Sequence, residues 1–403
     1  MKINKNYPLL KNAFNKEDLD SAISVIRSKR ITMSNVTYEF EKKFAKVLGA
    51  KYAVMTNSGS SANLLALSAL TNPLNELKLE KGDEVIIPAL CWSTSLWPIV
   101  LNNLKPIFVD VSIDTLNINL DELKKKITKK TKAIMCIHVL GTSTNMSKLV
   151  KIAKKNKIIL IEDTCESLGT KYRNKNLGTF GKFGTYSFYY SHQITSGEGG
   201  MIVCNDKKDY HIVKTLRSHG WSRGTIFNNI YKKKYKKLDN RFMFVGPGFN
   251  LRPTDIQAAI ANSQFNRLNK FMKIRNFNRN LIISKLLNDP KWSNQFSFIN
   301  ISKDIKPSWF GLPMLVNSRF SKIKKSFLNY LSSCGIENRP IISGNFLNQP
   351  AAKLYKFKFN LKDLKNSQSI EDRGFFIGLH AEKITKKEIN YLLEKLFKID
   401  DFI

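Results

Sequence analysis

Cysteine is scarce. The 403-residue chain has five, at positions 91, 136, 165, 204 and 334, and no two form a C-x-x-C pair. That excludes a disulfide scaffold and the common zinc-finger spacings, and the odd count suits a reducing compartment. Long hydrophobic runs are missing as well. Nothing approaches the ~20 apolar residues of a membrane span, and the start, Met1-Lys2-Ile3-Asn4-Lys5-Asn6-Tyr7, lacks the apolar segment of a signal peptide. A cytoplasmic protein with no membrane partner is the expectation. With 12 prolines and 20 glycines, no Pro- or Gly-rich stretch marks a linker or a collagenous repeat. Acidic residues are the last deficit: 32 Asp+Glu against 66 Lys+Arg leave a formal charge of +34.

Such a charge suits nucleic-acid or membrane-surface binding. The lysines, however, are spread through the chain, and the densest run, Lys232-Lys233-Lys234-Tyr235-Lys236-Lys237, has no nucleic-acid motif beside it. A compositional bias with solvated lysines is the preferred reading, without nucleic acid as partner. What is present is ordinary: 42% hydrophobic, 11% aromatic and 24% charged residues, in a chain long enough for a large core.

Between residues 50 and 205, short apolar runs alternate with helical stretches. Strands are predicted over 52–56, 84–88, 106–111, 132–138, 158–163, 185–189 and 201–204, with helices over 61–70, 94–103, 120–127 and 146–155. Strands apolar throughout and separated by helices imply an α/β fold with a mostly parallel sheet covered on both faces. The stretch 223–240 reads as an exposed excursion, 255–270 as a helix with a further helical run after it, and the remainder as a smaller α+β unit. The division is a large domain over 1–265 with an N-terminal arm, and a small C-terminal domain over 266–403.

In an open parallel sheet, ligands bind beyond the carboxyl ends of the strands. Asn57-Ser58-Gly59-Ser60-Ser61-Ala62-Asn63 follows the first strand there and opens a helix. Small residues and helix N-terminal N–H groups suit a phosphate, or the segment is a plain N-cap turn. No G-x-G-x-x-G or Walker sequence is present. Ile158-Ile159-Leu160-Ile161-Glu162-Asp163 ends a strand on two acids; a carboxylate there could hold a ring nitrogen protonated, or merely cap a loop. Trp92 could stack on a flat ligand, though core packing is the default for a lone tryptophan.

The most specific stretch is Gly184-Thr185-Tyr186-Ser187-Phe188-Tyr189-Tyr190-Ser191-His192-Gln193-Ile194-Thr195-Ser196-Gly197-Glu198-Gly199-Gly200. It resembles the sugar aminotransferase (DegT/DnrJ/EryC1/StrS) family of fold-type-I pyridoxal-phosphate enzymes. There a similar S-F-x-x-x-K-x-x-x-x-G-E-G-G carries the lysine that anchors the cofactor. Here that lysine is His192. The likeness extends to Gly59-Ser60, Trp92, Asp163 and Gly248-Phe249-Asn250-Leu251-Arg252-Pro253, and so spans most of the chain.

Histidine in place of lysine resembles a subgroup, the nucleotide-sugar 3-dehydratases. One branch uses an iron–sulfur cluster on four cysteines, three of them clustered after G-E-G-G. Only Cys204 stands there in this chain, so no iron–sulfur cluster and no metal is expected. The other branch needs no metal, takes its amino group from L-glutamate, and acts on a GDP-linked 4-keto-6-deoxy sugar of colitose-type lipopolysaccharide pathways. Asp163-Thr164-Cys165-Glu166-Ser167, Arg217-Ser218-His219-Gly220-Trp221, Ser308-Trp309-Phe310-Gly311, Arg339-Pro340-Ile341-Ile342-Ser343-Gly344-Asn345-Phe346 and Gly374-Phe375-Phe376-Ile377-Gly378 match it. Ser196-Gly197-Glu198 is nearer the general aminotransferase form.

The resemblance implies pyridoxal 5′-phosphate and pyridoxamine 5′-phosphate as cofactor, a nucleotide sugar and L-glutamate as partners, and His192 as catalytic residue. Gly59, Ser60 and Ser187 would hold the phosphate, Trp92 would stack on the ring, Asp163 would pair with its nitrogen, and Glu166 would approach its hydroxyl. Asn250 would reach the neighbouring subunit's phosphate, which implies a homodimer with shared sites. His219, Arg252 and Arg339 are substrate-binding candidates, while His138, His211 and His380 take a structural reading. CDP- and dTDP-sugars stay open, as do an aminotransferase using another lysine (Lys182 lies ten residues upstream of His192) and a catalytically inactive binding protein.

Overall fold

The computed structural model describes residues 6–403; Met1 to Lys5, most of the segment searched for a signal peptide, lie outside the described residues. Its strands in chain order are β1 (Tyr52–Thr56), β2 (Glu84–Pro88), β3 (Lys105–Val109), β4 (Thr131–Ile137), β5 (Ile159–Asp163), β6 (Lys171–Tyr172), β7 (Lys175–Asn176), β8 (Phe183–Ser187), β9 (Gly200–Cys204), β10 (Phe296–Phe298), β11 (Ile305–Lys306), β12 (Gly311–Val316), β13 (Asn338–Arg339) and β14 (Gly374–Gly378). The main sheet has seven strands in the order β1-β9-β8-β5-β4-β2-β3. Neighbours from β8 to β3 run parallel, and β9 runs antiparallel to both β8 and β1.

Alternate side chains of a strand point to opposite faces, so a strand covered on both sides is apolar at every position. In β2, Val85 and Ile87 pack with Leu65, Ala66 and Leu96, while Ile86 packs with Val109, Ile134 and Leu149 on the other face. In β1, Val54 joins the first of these cores, and Ala53 and Met55 meet Phe40 and Phe44 of helix Asn35–Leu48. The apolar runs in the sequence are therefore strands of a buried sheet.

A second, antiparallel sheet, β10-β12-β14-β13, has its own core of Phe296, Leu312, Phe327, Phe375 and Leu392. Tyr7 packs into that core and donates its hydroxyl to Gly378 O at 3.1 Å, so the chain at Tyr7 is tied to the second sheet. The strands β11, β6 and β7 form a small third sheet.

Most boundaries shift by a residue or two, and two of the differences bear on the site. The helix predicted over 255–270 is Asp255–Phe265, and a new helix, Leu268–Leu287, begins after a break at Asn266 and Arg267. There the Arg267 guanidinium turns aside to Asp18 of helix Lys16–Arg27, 2.5 Å away. The strand predicted over 185–189 is Phe183–Ser187, because the chain leaves the ladder at Phe188 and exposes Tyr189 and Tyr190. The excursion 223–240 contains helix Ile226–Lys234, and the lysine run lies exposed in it and after it. No helix of the described residues is long and apolar enough to cross a membrane.

Candidate active site

The candidate residues gather where the parallel strands end. β1 delivers Asn57 and Ser58, and the Ser58 hydroxyl accepts the Ser61 N–H at 3.1 Å to cap helix Gly59–Thr71. After β2 the chain reaches Trp92, whose ring is 56% exposed and therefore not a core residue. It stands at the N-cap of helix Ser93–Leu101. Ser60 Oγ donates to Thr94 Oγ1 at 2.9 Å, joining the two helix starts.

β5 ends on Asp163, which is 4% exposed. Its Oδ2 accepts from Asn63 Nδ2 at 2.8 Å and Ser95 Oγ at 2.7 Å, and its Oδ1 from the Cys165 N–H at 3.1 Å. Thr185 Oγ1 donates to Asn63 Oδ1 at 2.6 Å and fixes that amide in turn. A buried carboxylate held by three neutral donors is fixed in orientation, with its position set to meet a cation. Sequence reasoning missed Asn63, Ser95 and Thr185. Asn63 stands one helical turn after Gly59, so the i+4 spacing inside the motif was the available signal.

β8 ends on Ser187, packed so close to the helix start that a Cβ on Gly59 would stand 2.5 Å from Ser187 Cβ and 2.9 Å from Cys165 Sγ. The loop 188–199 then returns to β9, clasped by Phe188 N–H to Gly199 O at 2.8 Å and Ser196 N–H to Phe188 O at 3.0 Å. His192 is in this loop. Its ring meets Phe310 edge-on at 5.0 Å and Tyr189 at 5.8 Å. Nδ1 is buried with no hydrogen-bond partner among the described residues. Burial pushes the imidazole pKa down to about 3, with the Arg275 cation adding to it. The ring is thus neutral at pH 7, with one N–H and one lone pair. Glu166 shifts the other way, to about 7, chiefly through burial, with the Leu140 N–H at 3.0 Å opposing and the Asp163 charge adding. Near neutral pH it is able to donate as well as accept.

Around the rim, His219 has φ +62 and gives its N–H to Phe249 O at 2.8 Å, with its ring edge-on to Trp221 at 5.5 Å. Asn250 is exposed, and its Oδ1 accepts from Arg252 Nε at 3.0 Å. The Asn57 N–H reaches Leu251 O at 3.1 Å, which brings this segment beside the helix start. Arg339 lies on β13 with its side chain 60% exposed and 3.3 Å from Glu337. The segment after it enters the site: Ser343 Oγ donates to Cys91 O at 2.6 Å.

Lys182 precedes β8, at the opposite end of that strand from Ser187, and pairs with Asp209 at 2.5 Å. It is not placed to stand in for the missing lysine. His138 is buried between Glu162 and Ser143, each 3.1 Å away, and His380 Nε2 lies 2.7 Å from Pro8 O.

These residues fit a flat, protonated heterocycle bearing a phosphate. Asp163 supplies a fixed anion, Trp92 an open indole face, and Ser60 and Ser187 flank a helix N-terminus. The Nδ1 of His192 adds a buried ring nitrogen without a partner among the described residues. A fold-type-I aminotransferase architecture carrying such a site defines a class of protein. The sequence model of the DegT/DnrJ/EryC1/StrS aminotransferase family matches residues 12–397, and the chain belongs to that family.

Within it, GDP-4-keto-6-deoxy-D-mannose 3-dehydratase of Escherichia coli O55:H7 is 38% identical over 395 residues, covering 97% of this chain and 99% of that one. A crystal structure of GDP-4-keto-6-deoxymannose-3-dehydratase, a histidine-to-asparagine mutant with bound GDP-perosamine, superimposes with TM-score 0.88 at 37% identity over 97% of this chain and 100% of that one. Another structure of GDP-4-keto-6-deoxymannose-3-dehydratase, with a trapped PLP-glutamate geminal diamine, has TM-score 0.86 at 36% identity, again over 97% and 100%.

Proposed function

We propose that the chain is a nucleotide-sugar 3-dehydratase. It removes the C3 hydroxyl of GDP-4-keto-6-deoxy-D-mannose with pyridoxamine phosphate regenerated from L-glutamate. The products are GDP-4-keto-3,6-dideoxy-D-mannose, 2-oxoglutarate and ammonia. The sum balances: the two electrons leave glutamate, and the oxygen lost from the sugar is matched by the keto oxygen of 2-oxoglutarate. The observation that carries the reading is His192, its Nδ1 without a partner among the described residues, in the loop between β8 and β9 where the family carries a lysine, with the clamped Asp163 at the end of β5. A decayed binding protein has no reason to keep Asp163 so fully held, and Lys182 is engaged elsewhere.

The bound cofactor supplies an electron sink and an exchangeable amino group. The chain's own residues do the rest. Asp163 sits to hold the ring nitrogen protonated, with Asn63 and Ser95 locking its orientation. Gly59, Ser60 and Ser187 receive the phosphate at the helix N-terminus. Trp92 covers the ring face, and Glu166 lies toward the ring hydroxyl. His192 accepts a proton at its free ring nitrogen and returns it to the departing oxygen. With no amine there, the cofactor is held without a covalent bond, and the amino group is not captured by the protein.

The enzyme works as a homodimer in this reading, with Asn250 contributed across the interface. Support comes from the aromatic rim around Asn250: Phe242, Phe244 and Phe249 are 60%, 55% and 37% exposed, a patch that a second copy would cover. His219 and Arg252 lie beside it, and with Arg339 they are the groups assigned to anionic substrate. A direct test mixes the protein with pyridoxal phosphate and glutamate, then adds GDP-4-keto-6-deoxymannose. Bleaching of the aldehyde absorbance, then ammonia and a product lighter by one oxygen, is expected. An amino sugar as product would overturn the assignment.

A further inference from the structure

Arg275, on helix Leu268–Leu287, is buried at 3% exposure. All its partners are backbone carbonyls: Leu379 O at 3.0 Å from Nε, Gln193 O at 3.2 Å from Nη1, and His192 O at 3.5 Å from Nη2. Among the described residues no carboxylate pairs with it. Removing a guanidinium from water without a counter-ion is costly, and an apolar side chain would be cheaper there. Its three acceptors belong to two parts of the chain that must meet, the loop carrying His192 and the exit of β14 in the second sheet. From the other side, the Gln193 amide fixes the same loop by donating to Glu166 O and, at 3.1 Å, to Ser308 O.

We infer that Arg275 is a positioning residue for the dehydration, pinning the His192 carbonyl and holding a cation against the loop that aims the imidazole. The inference rests on the functional reading above. Gripping the carbonyls of consecutive residues fixes the peptide plane that bears the histidine, so the ring keeps its aim without any side-chain bond of its own. A cavity of about 190 Å³ borders His192, Gln193 and Arg275 and separates them from the N-terminal arm. Its other charged neighbours are largely spoken for: Arg267 by Asp18, and Lys11 by Glu388 and Glu382. Lys270 and Glu382 line the cavity, and the Glu166 carbonyl meets the loop through Gln193. Arg275 is the charge in direct contact with the histidine's own backbone.

The test uses the full chain as Arg275→Met and Arg275→Lys, each checked for wild-type thermal unfolding and cofactor stoichiometry. Histidine-selective NMR titration without substrate reads the imidazole, with the His192 signal identified by its loss in His192→Asn. Arg275→Met should move the His192 midpoint upward, since the neighbouring cation adds to the effect of burial. It should also lower the rates of the glutamate half-reaction and of dehydration at least tenfold, with KM values within twofold. Arg275→Lys should keep the low midpoint but not restore the rates, because a point charge does not span three carbonyls. An unmoved midpoint in Arg275→Met, or full rates in either variant, overturns the inference. Because the titration needs no turnover, failure of the functional reading, a wild-type chain that never consumes glutamate, is recognised separately from failure of this one.

Discussion

Gly59→Ala probes the contact between the phosphate cradle and the sheet. The added Cβ would lie 2.5 Å from Ser187 Cβ, 3.1 Å from Ser187 Cα and 2.9 Å from Cys165 Sγ. Carbon atoms rest at about 3.5–4.0 Å, so the shortfall is about 1 Å. Ser187 cannot retreat, because β8 is laddered to β5 on one side and β9 on the other. The start of helix Gly59–Thr71 must therefore move outward, taking the Ser60 hydroxyl with it. Overpacking of this kind costs about 1–3 kcal/mol. If the whole cost falls on the bound state, the pyridoxal phosphate Kd rises about 5- to 150-fold. Gly49→Ala is the control: Gly49 has φ +77 at the C-cap of helix Asn35–Leu48, and its added Cβ meets nothing within 4 Å. It should lose about 1 kcal/mol of stability through backbone conformation alone and keep its cofactor affinity. Absorbance titration of cofactor-free protein, beside thermal melts, separates the two. Unchanged affinity in Gly59→Ala, or an equal loss in Gly49→Ala, would refute the cradle geometry.

His192→Lys should abolish dehydration and hold the cofactor through a bond that resists dialysis and is trapped by borohydride; normal dehydration by this variant sinks the role given to the imidazole. Asp163→Asn removes the anion while keeping the shape, and loss of a charge-assisted hydrogen bond predicts a fall of about 10- to 100-fold in both half-reactions, read by stopped-flow absorbance. Glu166 is raised to about 7 in the folded chain. The folded state therefore binds its proton more tightly than the unfolded one, and this stabilising contribution is complete below the ordinary carboxyl pKa and lost as pH rises through 7. Glu166→Gln should accordingly flatten the decline in melting temperature of the cofactor-free protein between pH 5 and 8, and an unchanged slope would contradict the burial of that carboxyl.

The sheet was legible because its strands are buried on both faces, which writes uninterrupted apolar runs such as Val85-Ile86-Ile87 into the sequence. The strand ends were legible too, with Asp163 closing an apolar strand and Gly59-Ser60 at a helix start. The order of the strands was not, because the antiparallel insertion of β9 between β1 and β8 depends on pairings distant in sequence. Asn63, Ser95 and Thr185 escaped for a related reason. Each is an unremarkable polar residue, and only the folding together of three separate segments turns them into the clamp on Asp163. Arg275 lies 83 positions from the histidine whose carbonyl it meets, and one arginine among 66 basic residues carries no local mark.

The loop that carries His192 joins β8 to β9, which are adjacent in the sheet, so it is a simple return and not a crossover around a helix. Its closing bonds are made by the backbones of Phe188, Ser196 and Gly199, and the side chain at position 192 takes no part in them. In the proposed reading, the residue that separates a tethered cofactor from an exchanging one therefore stands where no closing bond of the loop depends on its side chain. A change of side chain at this position therefore leaves the closing bonds of the loop and the ladder between β8 and β9 in place.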